Sequence, residues 1–252
     1  MKQKNRIYSI DIVRGLIMVI MALDHVRNFF HVDALIHDPL DPQTTTPFLF
    51  FTRWITHYCA PVFVFLAGIS AYLAGLNRTG RSLSYFLIKR GIWLILVEIF
   101  IITLGTTFNP FYNVIVLQVI WAIGISMFLL GILVWLRIPY PVLFVIGILI
   151  VVGHNLLDHA ESVRQRDVGF AWNLIHAGHL KMYKIFPGHS IMISYAFLPW
   201  TGIMIMGYCV GKLYDPRFDV AMRKKILLAT GSALIVLFVL LRFINVYGDP
   251  MS

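Results

Sequence analysis

Two cysteines in 252 residues are too few for a disulfide framework, and charged residues make up only 13% of the chain, roughly half of what a soluble domain carries. The expected topology puts Cys59 near the outer surface and Cys209 toward the inner one, so no disulfide is expected. Acidic side chains are scarcer than basic ones, 12 against 21, which leaves a net charge of +9. That excess would suit nucleic acid if it formed a face. It is instead scattered in short loops between apolar runs, so no nucleic-acid partner is expected. The chain has no Gly-x-x-x-x-Gly-Lys-Ser/Thr loop to cradle phosphates, no His-Glu-x-x-His zinc helix and no Gly-x-Ser-x-Gly elbow. Those absences remove the common soluble-enzyme templates, and no metal site is expected. No internal repeat is visible.

What is present is apolar: 59% of residues are hydrophobic and the mean hydropathy is +0.78. This composition describes an integral membrane protein. With about 20 apolar residues needed to cross a bilayer, spans are expected near Ile10 to Phe30, Phe50 to Leu76, Tyr85 to Thr106, Val114 to Leu136, Val142 to Leu157, Tyr195 to Leu213 and Ile226 to Ile244. The expected fold is therefore all-α, a polytopic transmembrane helical bundle of about seven spanning helices. The basic start, Met1-Lys-Gln-Lys-Asn-Arg6, precedes an apolar run too long for a signal peptide and without a small-residue cleavage site, so it reads as an anchor. Lys2, Lys4, Arg6, Arg78, Arg81, Lys89, Arg90, Arg137, Lys212 and Arg217 all fall on one side of these spans, with Arg223, Lys224 and Lys225. The opposite loops, His31 to Thr46 and Thr107 to Asn113, contain no Lys or Arg. By this bias the N-terminus is expected in the cytoplasm and the protein in the cytoplasmic (inner) membrane, multi-pass, among membrane lipids.

The first span organises the rest. At 100° per residue Asp11, Arg14, Gly15, Met18, Ala22 and His25 share a stripe, with Asp24 and Asn28 on the neighbouring one. Ionisable groups at the end of a spanning helix are costly and are kept for pairing, transport or catalysis, which makes Asp24-His25 the candidate reaction centre. Helix neighbours point about 100° apart, so Asp24 is not expected to orient His25 by adjacency alone; Arg27, three residues on, is an alternative partner. In the next loop Thr46-Pro47 suits the start of the second span. Asp38 could fold back over His25.

In the second span Arg53 and His57 lie one turn apart on one face, and Pro61 is expected to kink the helix. Glu98 and Gln118 are further intramembrane polar groups, and a buried contact of Arg53 with Glu98 or His57 is expected to hold the second and third spans together. All nine histidines (His25, His31, His37, His57, His154, His159, His176, His179 and His189) fall on the expected outer side, either as a polar vestibule or because the outer loops are longer. The segment from Asp158 to Ile193 reads as interfacial helices or a lid. Gly207-x-x-x-Gly211 suits close helix packing.

Taken together, Ser9-Ile-Asp-x-x-Arg-Gly15, Met21-Ala-Leu-Asp-His-x-Arg27, Phe51-Thr-Arg-Trp-x-x-His-x-Cys-Ala-Pro-Val-Phe-x-Phe-Leu-Ala-Gly68 and Asn245-x-Tyr-Gly-Asp-Pro250 resemble bacterial membrane proteins of the heparan-α-glucosaminide N-acetyltransferase-like group, within the wider transmembrane acyltransferases. The resemblance covers essentially the whole chain. It implies transfer of an acetyl or other acyl group from cytoplasmic acyl-CoA (acetyl-CoA) to a small-molecule or glycan acceptor on the opposite face, at a sugar amine or hydroxyl. It also implies a catalytic histidine near the outer end of the first helix or in the loop after it. His25 is the first candidate, with His31 and His37 competing, and Asp24, Asp38 or Asp33 as accompanying carboxylates. Asp11, Arg14, Arg53 and His57 are the expected substrate-binding residues. Arg78, Arg81, Lys89 and Arg90 are expected to meet the phosphates of CoA, with topology and lipid headgroups as the equally weighted alternative. Relatives continue for several more spanning helices, so this single transmembrane domain, residues 1–252, is expected to lack some C-terminal helices of the family. A homodimer is left open.

A proton-coupled small-molecule transporter would also place Asp, His, Arg and Glu inside a helical bundle, and a sensor would use the outer histidines. Acyl transfer is the preferred reading of the two classes.

Overall fold

The computed structural model describes residues 7–32, 40–41, 43–164, 169–178 and 180–244. It is mostly helical. Among the described residues three helical stretches are long and apolar enough to cross a membrane: Pro47–Gly75, Tyr140–Leu157 and Val220–Ile244. The chain forms two compact units, Met1–Ala67 and Gly68–Ser252.

In the first unit α1 (Tyr8–Phe30) packs on α2 (Pro47–Thr56). Thr46 caps α2 by accepting the Leu49 N–H at 3.3 Å, and Pro47 opens the first turn, where its missing N–H costs nothing. After Thr56 the helix breaks at His57-Tyr58 and resumes as α3 (Cys59–Gly75). Pro61 cannot donate to the carbonyl of residue 57, so the interruption falls four residues upstream of the proline.

The second unit begins within α3. It continues through α4 (Gly80–Leu96), a π-helical segment Val97–Ile102, α5 (Thr103–Thr107), β1 (Val114–Leu117) and α6 (Val119–Trp135). Next come α7 (Tyr140–Arg164), the short α8 (Phe170–Trp172) with a second π segment Asn173–Ala177, β2 (Lys181–Phe186), β3 (His189–Ile193), α9 (Leu198–Val210) and α10 (Val220–Ile244). Helix α4 lies along α6, and α9 packs on both α6 and α7. Lipid supplies no hydrophobic drive for such contacts, so they depend on close approach and on interhelical hydrogen bonds. Both are visible. A Cβ at Gly91 would sit 2.6 Å from the Gly124 carbonyl oxygen and one at Gly124 would sit 3.0 Å from that of Gly91, so these backbones touch. Ser84 donates to the Gly131 carbonyl at 2.8 Å, and the Ser126 and Thr201 hydroxyls meet at 3.1 Å. Gly211, flagged by its spacing, has the same role, since a Cβ there would lie 2.5 Å from Cβ of Tyr72.

The expectation of an all-helical chain is corrected by a three-stranded sheet in the order β1-β3-β2. Strand β1 runs parallel to β3, pairing Val114 with Ser190 through Leu117 with Ile193, and β2 runs antiparallel to β3. The expected fourth span from Val114 thus divides into a strand and a shorter helix. The expected interfacial helices before Ile193 give way to a hairpin turning at Pro187-Gly188, where Gly188 adopts φ +79.

Glu98 explains the division. It is fully buried on the π segment, and its two carboxylate oxygens accept the backbone N–H groups of Gln118 at 3.0 Å and Trp121 at 3.1 Å. Those amides sit at the start of α6, whose first N–H groups have no helical partner and whose dipole favours a negative charge. Thr103 then ties the π segment to β1: its hydroxyl donates to the Glu98 carbonyl at 3.0 Å and accepts the Val116 N–H at 3.3 Å. Glu98 is therefore the cap of α6 and not the expected partner of Arg53. Glu98→Ala is expected to destabilise the protein by ~2 to 4 kcal/mol, because two buried N–H groups lose a charged acceptor. Glu98→Gln should recover part of this, and equal thermal melting of wild type and Glu98→Ala would refute the assignment.

Candidate functional site

Within the first unit the polar side chains converge on Asp24. Its Oδ1 accepts the Thr56 hydroxyl at 2.6 Å, the Arg53 Nη1 at 3.1 Å and the Arg27 Nη2, while its Oδ2 accepts the Asn28 amide at 3.2 Å. Local spacing brings these donors together. Asp24, Arg27 and Asn28 are i, i+3 and i+4 on α1, and Arg53 and Thr56 are i and i+3 on α2. Arg27 is 5% exposed, and its Nη1 also reaches the Thr56 oxygen at 3.4 Å and its Nη2 the Asn28 oxygen at 3.2 Å. Its Nε is buried without a hydrogen-bond partner. Arg53 keeps 32% of its side-chain surface exposed.

This cluster replaces the expected contact of Arg53 with Glu98 or His57. It also settles the carboxylate of Asp24. With three donors on Oδ1 and one on Oδ2, Asp24 anchors α1 to α2. His25 is exposed and its ring stacks on Phe29 with centroids 6.3 Å apart. His31, also exposed, follows α1 directly and its N–H caps the Arg27 carbonyl at 3.0 Å. His57 is exposed at the break between α2 and α3. Asp33, His37, Asp38, His179 and the motif from Asn245 to Pro250 lie outside the described residues, as do the side chains of Asp158 and His159.

Asp11 and Arg14 form an i,i+3 ion pair at 3.7 Å, each with 35% of its side-chain surface exposed. They share a stripe with His25, but 11 to 14 residues along a helix is ~17 to 21 Å. The stripe thus has two polar ends separated by apolar turns. Arg78 is held locally, donating to the Ala74 carbonyl at 2.6 Å and lying 4.4 Å above the Phe86 ring. Arg81, Lys89 and Arg90 are exposed on α4.

Three features escaped sequence reasoning or were only partly read. Thr56 had no signal beyond its spacing from Arg53. His154 and His176 come together with ring centroids 6.5 Å apart and Trp172 beside them at 5.2 Å from His176. His154 is committed to the Val151 carbonyl at 2.9 Å, and it edges a groove of about 300 Å³ otherwise lined by apolar side chains of α7 and Leu198. Tyr72, Tyr140 and Tyr208 pack ring on ring at 5.5 to 5.9 Å, with the Tyr72 hydroxyl donating to Asp215 at 3.3 Å. These rings pack α3, α7 and α9 together.

A family model described as heparan-alpha-glucosaminide N-acetyltransferase, catalytic, matches residues 6–241. No curated protein and no solved structure matches the chain.

Proposed function

The chain belongs to the heparan-alpha-glucosaminide N-acetyltransferase catalytic family, and on that footing we propose that this membrane acetyltransferase moves an acetyl or other acyl group from cytoplasmic acyl-CoA to an extracytoplasmic sugar amine or hydroxyl. The observation that carries the reading is the match itself, which runs from the first helix into the last. The proposed topology has about seven spans, a cytoplasmic N-terminus and the inner membrane as its location, supported by the one-sided distribution of Lys and Arg.

In this reaction the acceptor nitrogen or oxygen attacks the thioester carbonyl, its proton passes to a base, and the carbonyl oxygen carries the developing negative charge until the CoA thiolate departs and is reprotonated. His25 is the proposed base. Its exposed side chain is accessible to a water-borne acceptor, and Asp24 holds the helix end that presents it. His57, four residues beyond Arg53, and Arg53 are proposed to position the acceptor. Arg81, Lys89, Arg90 and Arg78 are proposed to attract the CoA phosphates, Arg78 with its guanidinium already positioned over Phe86.

The test uses the purified full chain in proteoliposomes. With labelled acetyl-CoA on the side reached by a reagent at a cysteine replacing Arg81, label should appear on glucosamine supplied on the other side, with release of free CoA thiol. Absence of both products with amine and hydroxyl acceptors would end the acyltransfer reading. Label transfer with both substrates on the Arg81 side would end only its direction.

A further inference from the structure

We propose that Arg53, backed by Arg27, forms a binding site for an oxyanion of the phosphate or carboxylate class. The argument starts from charge. Two guanidinium groups share one carboxylate, and the single oxygen they share, Oδ1 of Asp24, also accepts Thr56 at 2.6 Å. Among the described residues no second acidic side chain touches the cluster. Arg27, nearly fully buried, is the closer partner and takes most of what Asp24 offers. Arg53 is left with one N–H on an oxygen already crowded by two other donors, and the remaining edge of its fork lies on a side chain that is 32% exposed.

A surplus positive charge at the end of a membrane helix is costly unless an anion meets it, and a guanidinium edge matches two oxygens of a phosphate or carboxylate. Removing the surplus would have been simple: Gln or Thr in place of Arg53 could donate the same single hydrogen bond to Asp24. Retention of an arginine that is only partly buried and makes one hydrogen bond to Asp24 is explained by a partner that is not part of the described chain. The buried Nε of Arg27, which has no acceptor, shows the same deficit of anionic oxygen in this cluster. The oxyanion comes either from a lipid headgroup or from a soluble molecule, and its binding is read without any acyl-transfer step, so it stands or falls apart from the proposed activity.

The experiment measures thermal unfolding of the full chain, delipidated in an uncharged detergent, as inorganic phosphate replaces chloride at constant ionic strength. A saturable rise in the midpoint is expected, weakened about tenfold or more in apparent affinity by Arg53→Gln and retained by Lys184→Gln, which removes an exposed cation on β2. Arg53→Lys keeps the charge but not the fork and should fall between, which leaves the test readable if Arg53→Gln does not fold. Nanodiscs of phosphatidylcholine with and without phosphatidylglycerol separate the sources. If the anionic lipid raises the midpoint and abolishes the phosphate response through Arg53, the headgroup is the ligand; if phosphate still acts, the ligand is soluble. No response of the wild type to phosphate or anionic lipid, or an equal response in Arg53→Gln, overturns the proposal. So does a silent wild type whose Asp33→Asn, Asp38→Asn double variant responds, because the loop carboxylates would then be filling the site.

Discussion

His25→Ala is expected to lose ~100- to 10,000-fold in acyl transfer while still binding acyl-CoA, the usual loss when a general base is removed and substrate contacts remain. The structure narrows why. The Oδ1 of its neighbour Asp24 is taken by Arg27, Arg53 and Thr56, and among the described residues the His25 ring stacks on Phe29. A base without a rigid support is positioned by its substrate or by the loop that follows. Phe29→Ala is therefore expected to affect the rate far less than His25→Ala does. His31→Ala should retain substantial activity, because the part of His31 that the fold uses is its backbone N–H, which alanine keeps. His37→Ala is expected to stay active as well. If His31→Ala or His37→Ala is the dead variant and His25→Ala is active, the loop supplies the base and the assignment to His25 fails. Each variant is first compared with wild type for acyl-CoA binding, so that a misfolded protein is not scored as a catalytic loss.

Two long apolar helices were readable as helices: Ile10 to Phe30 falls within Tyr8–Phe30 and Ile226 to Ile244 within Val220–Ile244, although of the two only Val220–Ile244 is apolar enough to cross a membrane. Hydrophobicity alone failed where two element types were both apolar. Val114-Ile-Val-Leu117 and the helix after it form one continuous apolar run, and only the carboxylate of Glu98, 20 residues upstream of Gln118, marks the junction between strand and helix. The hairpin had a local signal that the helical reading passed over. Lys181 to Ile193 is split by Pro187-Gly188, a turn pair that ends a helix and suits two strands. The π segments left no periodic trace, since each is only five or six residues long, too short for a shift in period to register. At the candidate site, the i,i+3 pairing of Asp24 with Arg27 followed from spacing, whereas the contact of Asp24 with Arg53 spans 29 residues and depends on how α1 meets α2.

That difference in burial decides which arginine holds the first unit together. Sequence reasoning placed the structural burden on Arg53, but Arg27 is 5% exposed and Arg53 has 32% of its side chain in the open. Removing one partner of a buried pair leaves an uncompensated charge, at a cost of ~3 to 5 kcal/mol, whereas a partly exposed pair contributes about 1 kcal/mol or less. Arg27→Ala should therefore lower the melting midpoint by on the order of 10 °C, and Arg53→Ala by a small fraction of that. In Arg27→Ala the remaining Arg53 and Thr56 still satisfy Asp24 Oδ1, so the loss is expected nearer the lower bound than for a carboxylate left alone. Adding Asp24→Asn to Arg27→Ala removes the stranded charge, and the double variant should be more stable than the sum of the two single losses implies. Additive losses would mean that Asp24 and Arg27 act independently. An Arg27→Ala midpoint within 1 to 2 °C of wild type, roughly the shift of less than 1 kcal/mol, would show that the cluster does not hold α1 against α2.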